Sequence, residues 1–242
     1  MKNIKQENLE NKNIKRLKIF LFSLLMIILL LSVSFLIFVS DYYKADSTAI
    51  QLTKKDEEVE VLDNLAIISP ADPSDTAIIF YPGAKVEFIS YIPILEKLKE
   101  NGIASILIKM PFNMAIFNAN AADTVFDLLP NTKNWYIGGH SMGGAMASRY
   151  ASKNQDKVKG LILLGSYIYG DYPPKNTLTV YGTLNSDIEK NIDYTENILV
   201  IDGGNHAQFG NYGKQKNDPL ATISQEKQQN IAVDAILDFI GQ

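Results

Sequence analysis

The stretch Trp135-Tyr136-Ile137-Gly138-Gly139-His140-Ser141-Met142-Gly143-Gly144-Ala145 decides the reading of this chain. Its apolar start has the character of a buried strand, and the small residues after Ser141 suit a helix packed closely on a sheet. Gly139, Ser141 and Gly143 fill a G-x-S-x-G pattern, the signature of a sharp turn that lifts a serine hydroxyl clear of a sheet edge. Such a turn forces the serine into an unfavourable backbone conformation, and side chains at the flanking positions would collide with the neighbouring strand and helix. Glycine and serine are common, so the pattern alone is weak. The strand before it and the small-residue helix after it give it weight.

A serine hydroxyl is a poor nucleophile until a base takes its proton, and imidazole is the usual base near neutral pH. The chain has two histidines. His140 lies inside the elbow and points away from the nucleophile, which leaves His206 as the candidate base. It sits in the glycine-rich loop Asp202-Gly203-Gly204-Asn205-His206, just after the apolar run Ile198-Leu199-Val200-Ile201. An acid should orient it, and the order nucleophile, acid, base places that acid between the two. Asp156, Asp171, Asp187, Glu189, Asp193, Glu196 and Asp202 lie in that interval. The loop after the strand Thr177-Leu178-Thr179-Val180-Tyr181 is the right place, which selects Asp187. Asp156 reads as a surface residue at the end of the elbow helix, and Asp193 and Glu196 read as solvated. Asp202 is too close in sequence to fold back onto His206.

Four blocks carry a family resemblance: Phe80-Tyr81-Pro82-Gly83-Ala84-Lys85-Val86, Lys109-Met110-Pro111, Gly138 to Gly144, and Gly203-Gly204-Asn205-His206-Ala207-Gln208-Phe209-Gly210. Together they resemble the compact bacterial α/β-hydrolases of the dienelactone-hydrolase-like group, the α/β-hydrolase family 5 type. The resemblance runs from about Ala77 to the C-terminus. It implies an α/β-hydrolase fold and a Ser-His-acid triad acting without a cofactor. One departure stands out. The family usually has an aspartate three residues after the glycine of Tyr-Gly, and here that position holds Asn185, with Asp187 two residues later. Either the loop is remodelled so that Asp187 reaches His206, the preferred reading, or Asn185 alone orients the imidazole. An amide holds the ring but does not stabilise the imidazolium, and the equivalent change in a serine protease costs about four orders of magnitude in rate.

An oxyanion needs two backbone N–H donors. One belongs to Met142, the residue after the nucleophile. The other belongs to the loop Pro82-Gly83-Ala84 after the strand Ala77 to Tyr81, with Ala84 the candidate donor and Lys85 the alternative. Tyr81 stands where many relatives carry histidine and is a candidate to present its phenol to the pocket wall.

The N-terminus carries a second signal. Ile19 to Val39 has no charge and no proline, and some 20 such residues span about 30 Å as a helix, the thickness of a bilayer core. Lys2, Lys5, Lys12, Lys15, Arg16 and Lys18 precede it, against Glu7 and Glu10. The positive-inside rule puts residues 1–18 in the cytoplasm, 19–39 across the membrane as a signal-anchor and the remainder outside. A cleaved signal peptide, and hence a secreted protein, is the alternative. Its apolar region would be shorter, and positions near the end of the run, such as Phe38 with Ser40, do not fit a small-x-small cleavage site. Residues 40–58 read as a polar linker and 59–242 as one catalytic domain, long enough for a sizeable core.

Composition narrows the function classes. Two histidines and no cysteine leave few ligands for a metal centre, so neither metal nor cofactor is expected. A net charge of −4 gives no reason to expect nucleic acid, and topology explains the basic N-terminal run. Nothing in the sequence indicates an oligomeric state. Strand and helix alternate after the linker, which implies a mostly parallel central sheet with helices on both faces. Helices are expected over 91–100, 118–129, 143–153 and 225–240, the last with Ile231, Ala235, Ile236 and Phe239 on its core face. The short interval from Ser141 to His206 leaves no room for a large lid. Loops such as Ser166 to Tyr172 and Phe209 to Tyr212 should wall an open site, their tyrosines lining an acyl pocket or covering core. The expectation is a membrane-anchored serine hydrolase of the carboxylesterase type, acting on a small ester or related acyl substrate. The rival is a catalytically impaired member of the same fold that serves as a binding or scaffold protein.

Overall fold

The computed structural model describes residues 2–55 and 58–241. Asp56 and Glu57, in the expected linker, lie outside the described residues. The chain divides into two compact units, residues 1–41 and 42–242.

The first unit is one helix, α1 (Lys2–Ser40). Its stretch Lys12–Ser40 is 29 residues long with a mean hydropathy of 2.9 at its most apolar, long and apolar enough to cross a membrane. Its leucines, isoleucines and phenylalanines are exposed nearly throughout. A water-soluble helix would bury one such face. Length and composition fit a membrane anchor or a signal sequence.

The second unit begins earlier than the sequence suggested. Residues 42–55 were expected within a polar linker, yet they are folded. Tyr43 pairs with Val86 as an isolated parallel bridge, its N–H donating to the Lys85 carbonyl at 2.7 Å and its carbonyl accepting from Glu87 N–H at 2.8 Å. Asp46 accepts from the Ala49 N–H at 3.0 Å and opens helix α2 (Ser47–Lys55), on which Ala49 is fully buried. Polar composition concealed a segment that is fixed by backbone pairing and one small apolar face.

Among the described residues eight strands follow: β1 (Val59–Val61), β2 (Leu65–Ile68), β3 (Thr76–Tyr81), β4 (Ala104–Ile108), β5 (Asn134–His140), β6 (Gly160–Leu164), β7 (Thr177–Gly182) and β8 (Ile198–Ile201). They form one sheet in the order β1-β2-β4-β3-β5-β6-β7-β8. The first two pair antiparallel, and β2 meets β4 antiparallel. From β4 to β8 every pairing is parallel. The central strands are buried on both faces, which explains their continuous apolar runs. Alternate residues of β3 divide between two cores. Ile78 and Phe80 join α3 (Ile92–Lys99) and α6 (Gln225–Ile240) on one side. Ala77, Ile79 and Tyr81 join Ala147 and Ala151 of α4 (Met142–Lys153) on the other. This is the mostly parallel, doubly covered sheet that the resemblance implied, with no inserted lid among the described residues.

The helix expected over 118–129 is two 3-10 turns, Ala121–Thr124 and Phe126–Leu128. Tertiary bonds take the groups that a helix would use. The Ala122 N–H donates to the Tyr81 hydroxyl at 2.8 Å, and the Ala119 carbonyl accepts from that hydroxyl at 3.1 Å. In α6 the fully buried residues are Gln228, Gln229, Ala232, Val233 and Ile236, so the core-facing stripe includes two amides that apolar periodicity does not mark.

Because β3, β5, β6, β7 and β8 run the same way, the loops after them share one edge of the sheet. Those loops carry every candidate site residue.

Candidate active site

Ser141 follows β5 and caps α4, with φ 54° and ψ −125°. For a non-glycine residue this is a strained conformation, costing about 1–3 kcal/mol. Two backbone bonds hold it: the Ser141 N–H donates to the Leu164 carbonyl on β6, and the Ser141 carbonyl accepts from Ala145 N–H, both at 3.0 Å. Tight packing adds to them. A Cβ on Gly143 would lie 2.2 Å from the Tyr81 carbonyl oxygen. That distance is a collision with backbone, so the elbow can press against β3 only with glycine there.

The loop after β3 runs past the elbow. The Gly83 N–H donates to the Tyr91 hydroxyl at 3.1 Å, and the Lys85 N–H donates to the Asn113 carbonyl at 2.8 Å. Between them Ala84 keeps its N–H uncommitted, as does Met142; neither has a hydrogen-bond partner among the described residues. Lys85, the alternative donor, already spends its amide on Asn113. Tyr81 does not reach the pocket wall. It is fully buried, and its hydroxyl donates to the Ala119 carbonyl at 3.1 Å while accepting from Ala122.

His206 lies beyond β8 in a loop fixed through its main chain. The Gln228 side chain clamps Asn205, accepting from its N–H at 3.0 Å and donating to its carbonyl at 2.8 Å. The Asp218 carboxylate accepts from the His206 N–H at 3.2 Å and the Ala207 N–H at 2.8 Å. The His206 carbonyl accepts from Nε2–H of His140 at 3.0 Å. A carbonyl has no proton to give, so His140 carries its proton on Nε2. Its Nδ1 then accepts from the Tyr91 hydroxyl at 2.8 Å. A buried relay results: Gly83 N–H to Tyr91, Tyr91 to His140, His140 to the His206 carbonyl. It joins the loop after β3, the elbow and the base loop.

Electrostatics separate the two imidazoles. His140 is enclosed, and burial, then its neighbour His206, hold its pKa well below the ordinary 6.5. It stays neutral, as the relay requires. Burial also lowers the His206 pKa, while the Asp218 charge pulls it upward. The ring centroids are 4.5 Å apart.

The loops after β7 and β8 are stitched together: the Thr183 N–H donates to the Ile201 carbonyl and the Leu184 N–H to the Gly204 carbonyl, both at 3.0 Å. This seam brings Asn185 to His206, with its amide nitrogen 2.7 Å from Nδ1. In that orientation the amide donates, Nδ1 accepts, and the imidazole proton sits on Nε2. Turning the amide over presents Oδ1 instead, which holds a proton on Nδ1 and frees Nε2.

Asp187, the acid preferred from sequence, is not brought to His206. It lies on the one-turn helix α5 (Ser186–Glu189), where its side chain is 87% exposed and pairs with Lys190 at 2.7 Å. That ion pair holds its carboxyl below the ordinary range. Neighbours on a helix point about 100° apart, and here Ile188 takes the inward direction.

Ser141 and His206 line one open cleft of about 310 Å³ with Met142, Ala145, Gly165, Ser166, Tyr167 and Ile188. Gly165, at φ 53°, lies under the imidazole, and a Cβ there would come within 2.9 Å of Nδ1. Of the loop tyrosines, Tyr167 lines the cleft, Tyr172 and Tyr212 are buried, and Tyr169 projects into solvent. On the other side of His206 a second cleft of about 320 Å³ is walled by Leu184, Asn185, Asp187, Gln215, Lys216, Asn217, Asp218 and Pro219. No group of three or more histidine, aspartate or glutamate side chains among the described residues could hold a metal ion.

Sequence reasoning missed Tyr91, Asp218 and Gln228. The side-by-side amides Gln228-Gln229 in an otherwise apolar helical stripe were a readable signal, since buried amides need partners. Tyr91 and Asp218 gave no comparable sign.

Comparison with known proteins agrees with this architecture. No curated protein matches the sequence. Among solved structures, Est1E from Butyrivibrio proteoclasticus superposes with a TM-score of 0.50 at 15% identity, over 76% of this chain and 98% of its own. XC6422 from Xanthomonas campestris, described as an a/b serine hydrolase without lid, gives 0.52 at 13% identity over 76% and 94%. Dienelactone hydrolase from Anabaena variabilis gives 0.51 at 13% identity over 75% and 99%. At such identities the likeness is one of fold. Residues 77–230 match the alpha/beta hydrolase family, and with well over half its length inside that match, the chain belongs to the alpha/beta hydrolase family.

Proposed function

We propose that this protein is a serine hydrolase that cleaves an ester or related acyl bond, held at the cell membrane by its N-terminal helix with the catalytic domain outside the cytoplasm. The observation that carries the reading is the meeting of Ser141 and His206 in one cleft, which Met142 also lines. Ser141 Oγ attacks the acyl carbonyl and passes its proton to Nε2 of His206. The carbonyl oxygen takes up the negative charge and is held by the Met142 and Ala84 N–H groups. The tetrahedral intermediate collapses as His206 protonates the leaving group, and water then releases the acyl group from Ser141 by the same steps. For this the Asn185 amide presents Oδ1 to Nδ1–H. An asparagine in the third position serves papain-like proteases in this way.

The open cleft, with Ala145, Tyr167 and Ile188 on its walls, suits a small acyl group. Esterases among the structural neighbours support the same reaction class. The basic residues in the first half of α1, ahead of its apolar run, support a cytoplasmic N-terminus. No cofactor enters the chemistry.

One observation favours a second reading. With the Asn185 amide nitrogen on Nδ1, Nε2 is protonated and cannot accept from serine, which describes a catalytically impaired binding protein. Labelling with a fluorophosphonate separates the two. Rapid labelling of the full chain, abolished in Ser141→Ala, is expected of the enzyme. Folded protein that stays unlabelled would sink it.

A further inference from the structure

The site has a base and no carboxylate on its ring. His206 must nevertheless become an imidazolium when Ser141 gives up its proton, and a buried cation without a counter-charge is costly. We propose that Asp218 supplies that counter-charge, from the main-chain side of His206 rather than through Nδ1. This proposal rests on the serine hydrolase reading and deepens it.

The geometry is specific. Asp218 lies after His206 in the chain, outside the interval in which a triad acid is sought. Its two carboxylate oxygens divide between consecutive amides, Oδ1 on the His206 N–H at 3.2 Å and Oδ2 on the Ala207 N–H at 2.8 Å. A carboxylate fixed on the base's own amide stays a few bonds from the imidazole whatever the side chain does. It also lines the polar cleft on the Asn185 side of the ring. It is a positioning residue with a charge: it touches neither substrate nor reacting atoms. During acylation the proton moves from Ser141 Oγ to His206 Nε2 as the Oγ–C bond forms, and Asp218 remains a carboxylate throughout.

The work done by one aspartate in a conventional triad is thereby divided. Asn185 selects the tautomer and Asp218 provides the field. The other groups facing His206 do not duplicate it. His140, from the elbow, is neutral. The β6 loop presents Gly165 and Ser166, and α6 presents the uncharged Gln228. Asp187 and Lys216 stand on the rim of the polar cleft, Asp187 paired with Lys190.

The test is the titration of His206, followed by NMR of selectively labelled histidines in the full chain in detergent. It does not depend on turnover. Asp218→Asn keeps an acceptor for one amide and removes the charge, so proton binding to His206 should weaken about tenfold. Asp218→Glu keeps the charge and should hold the wild-type midpoint, and Asp187→Asn should leave it unmoved. An unchanged midpoint in Asp218→Asn overturns the proposal, as does an equal fall in Asp218→Glu, which would assign the effect to loop geometry. Should Asp218→Asn not fold, Asp218→Ser, which also keeps an acceptor and removes the charge, takes its place with the same expected and refuting outcomes. Fluorophosphonate labelling of the same samples keeps the two ideas apart. Unlabelled wild type refutes the hydrolase, while the His206 shift still reads the charge of Asp218.

Discussion

The nucleophile side and the base side of this site are built on opposite principles. At the elbow nearly everything is fixed: Ser141 is held in a strained conformation by two backbone bonds, and Gly143 is wedged against the Tyr81 carbonyl. On the base side the ring of His206 has one side-chain hydrogen-bond partner, a neutral amide, and the loop's constraints fall on its main chain, through His140 and Asp218 at His206 and Gln228 at Asn205. The difference teaches that a histidine facing a candidate nucleophile can be positioned by its backbone, which relieves a third residue of that duty. Replacing residues on each side should show how far the two differ.

The largest effect belongs to Ser141→Ala. It should lower acyl transfer by four orders of magnitude or more while leaving the fold intact, since alanine relieves none of the elbow's contacts. A modest loss would mean that the rigid side is scaffolding rather than chemistry. Next comes Asn185→Asp, a gain-of-function variant. A carboxylate at the position 2.7 Å from Nδ1 fixes the proton on Nδ1 and compensates the imidazolium, so the labelling rate should rise. The serine protease comparison puts the ceiling near four orders of magnitude. No gain would mean that the amide already holds the productive tautomer.

A smaller effect is expected where the two sides are joined. Tyr91→Phe strips the relay of its middle hydroxyl and leaves the Gly83 N–H and His140 Nδ1 buried without partners. Such a loss costs about 2 kcal/mol, or about 4–8 °C in melting temperature for a unit of this size, with a parallel fall in activity because both loops loosen. Calorimetry and initial rates on one sample check it.

Acidification probes both imidazoles. Their native pKa values are lowered from 6.5 by burial first, so the unfolded chain binds more protons as pH falls below 6.5. Stability from keeping them neutral is therefore complete above 6.5 and is lost as pH falls toward the native values. The melting temperature should decline from pH 6.5 downward, and kcat/KM should lose its base over the same acidic range. A flat melting temperature between pH 7 and 5 breaks this account. The smallest effect is reserved for Asp187→Asn, which should change rates by less than about twofold, because an exposed ion pair contributes little.

Much of this was legible in the residues. The apolar runs gave the strands of the parallel sheet because strands buried on both faces need continuous hydrophobicity. The elbow announced itself through glycines that sterics demand. His206 followed from having only one other histidine to consider. What escaped depended on side chains reaching across the fold. Asn185 and Asp187 are two residues apart, and only the seam between the β7 and β8 loops, with the turn of α5, determines which one faces the ring. Asp218 acts through backbone amides and Tyr91 links a backbone amide to the buried His140 ring, arrangements for which no residue pattern exists. Residues 42–55 looked like a linker because polar side chains and a backbone bridge to Val86, rather than an apolar run, tie them to the domain.

The relay from Gly83 through Tyr91 and His140 has one more consequence. It makes the loop after β3 and the loop that carries His206 mechanically one part, assembled without any help from position 185. That position becomes spare: descendants of this sequence could exchange aspartate, asparagine or another short polar residue there and retain an assembled site whose rate alone changes. A fold organised this way can drift between enzyme and receptor by single substitutions, with its cleft standing ready in either state.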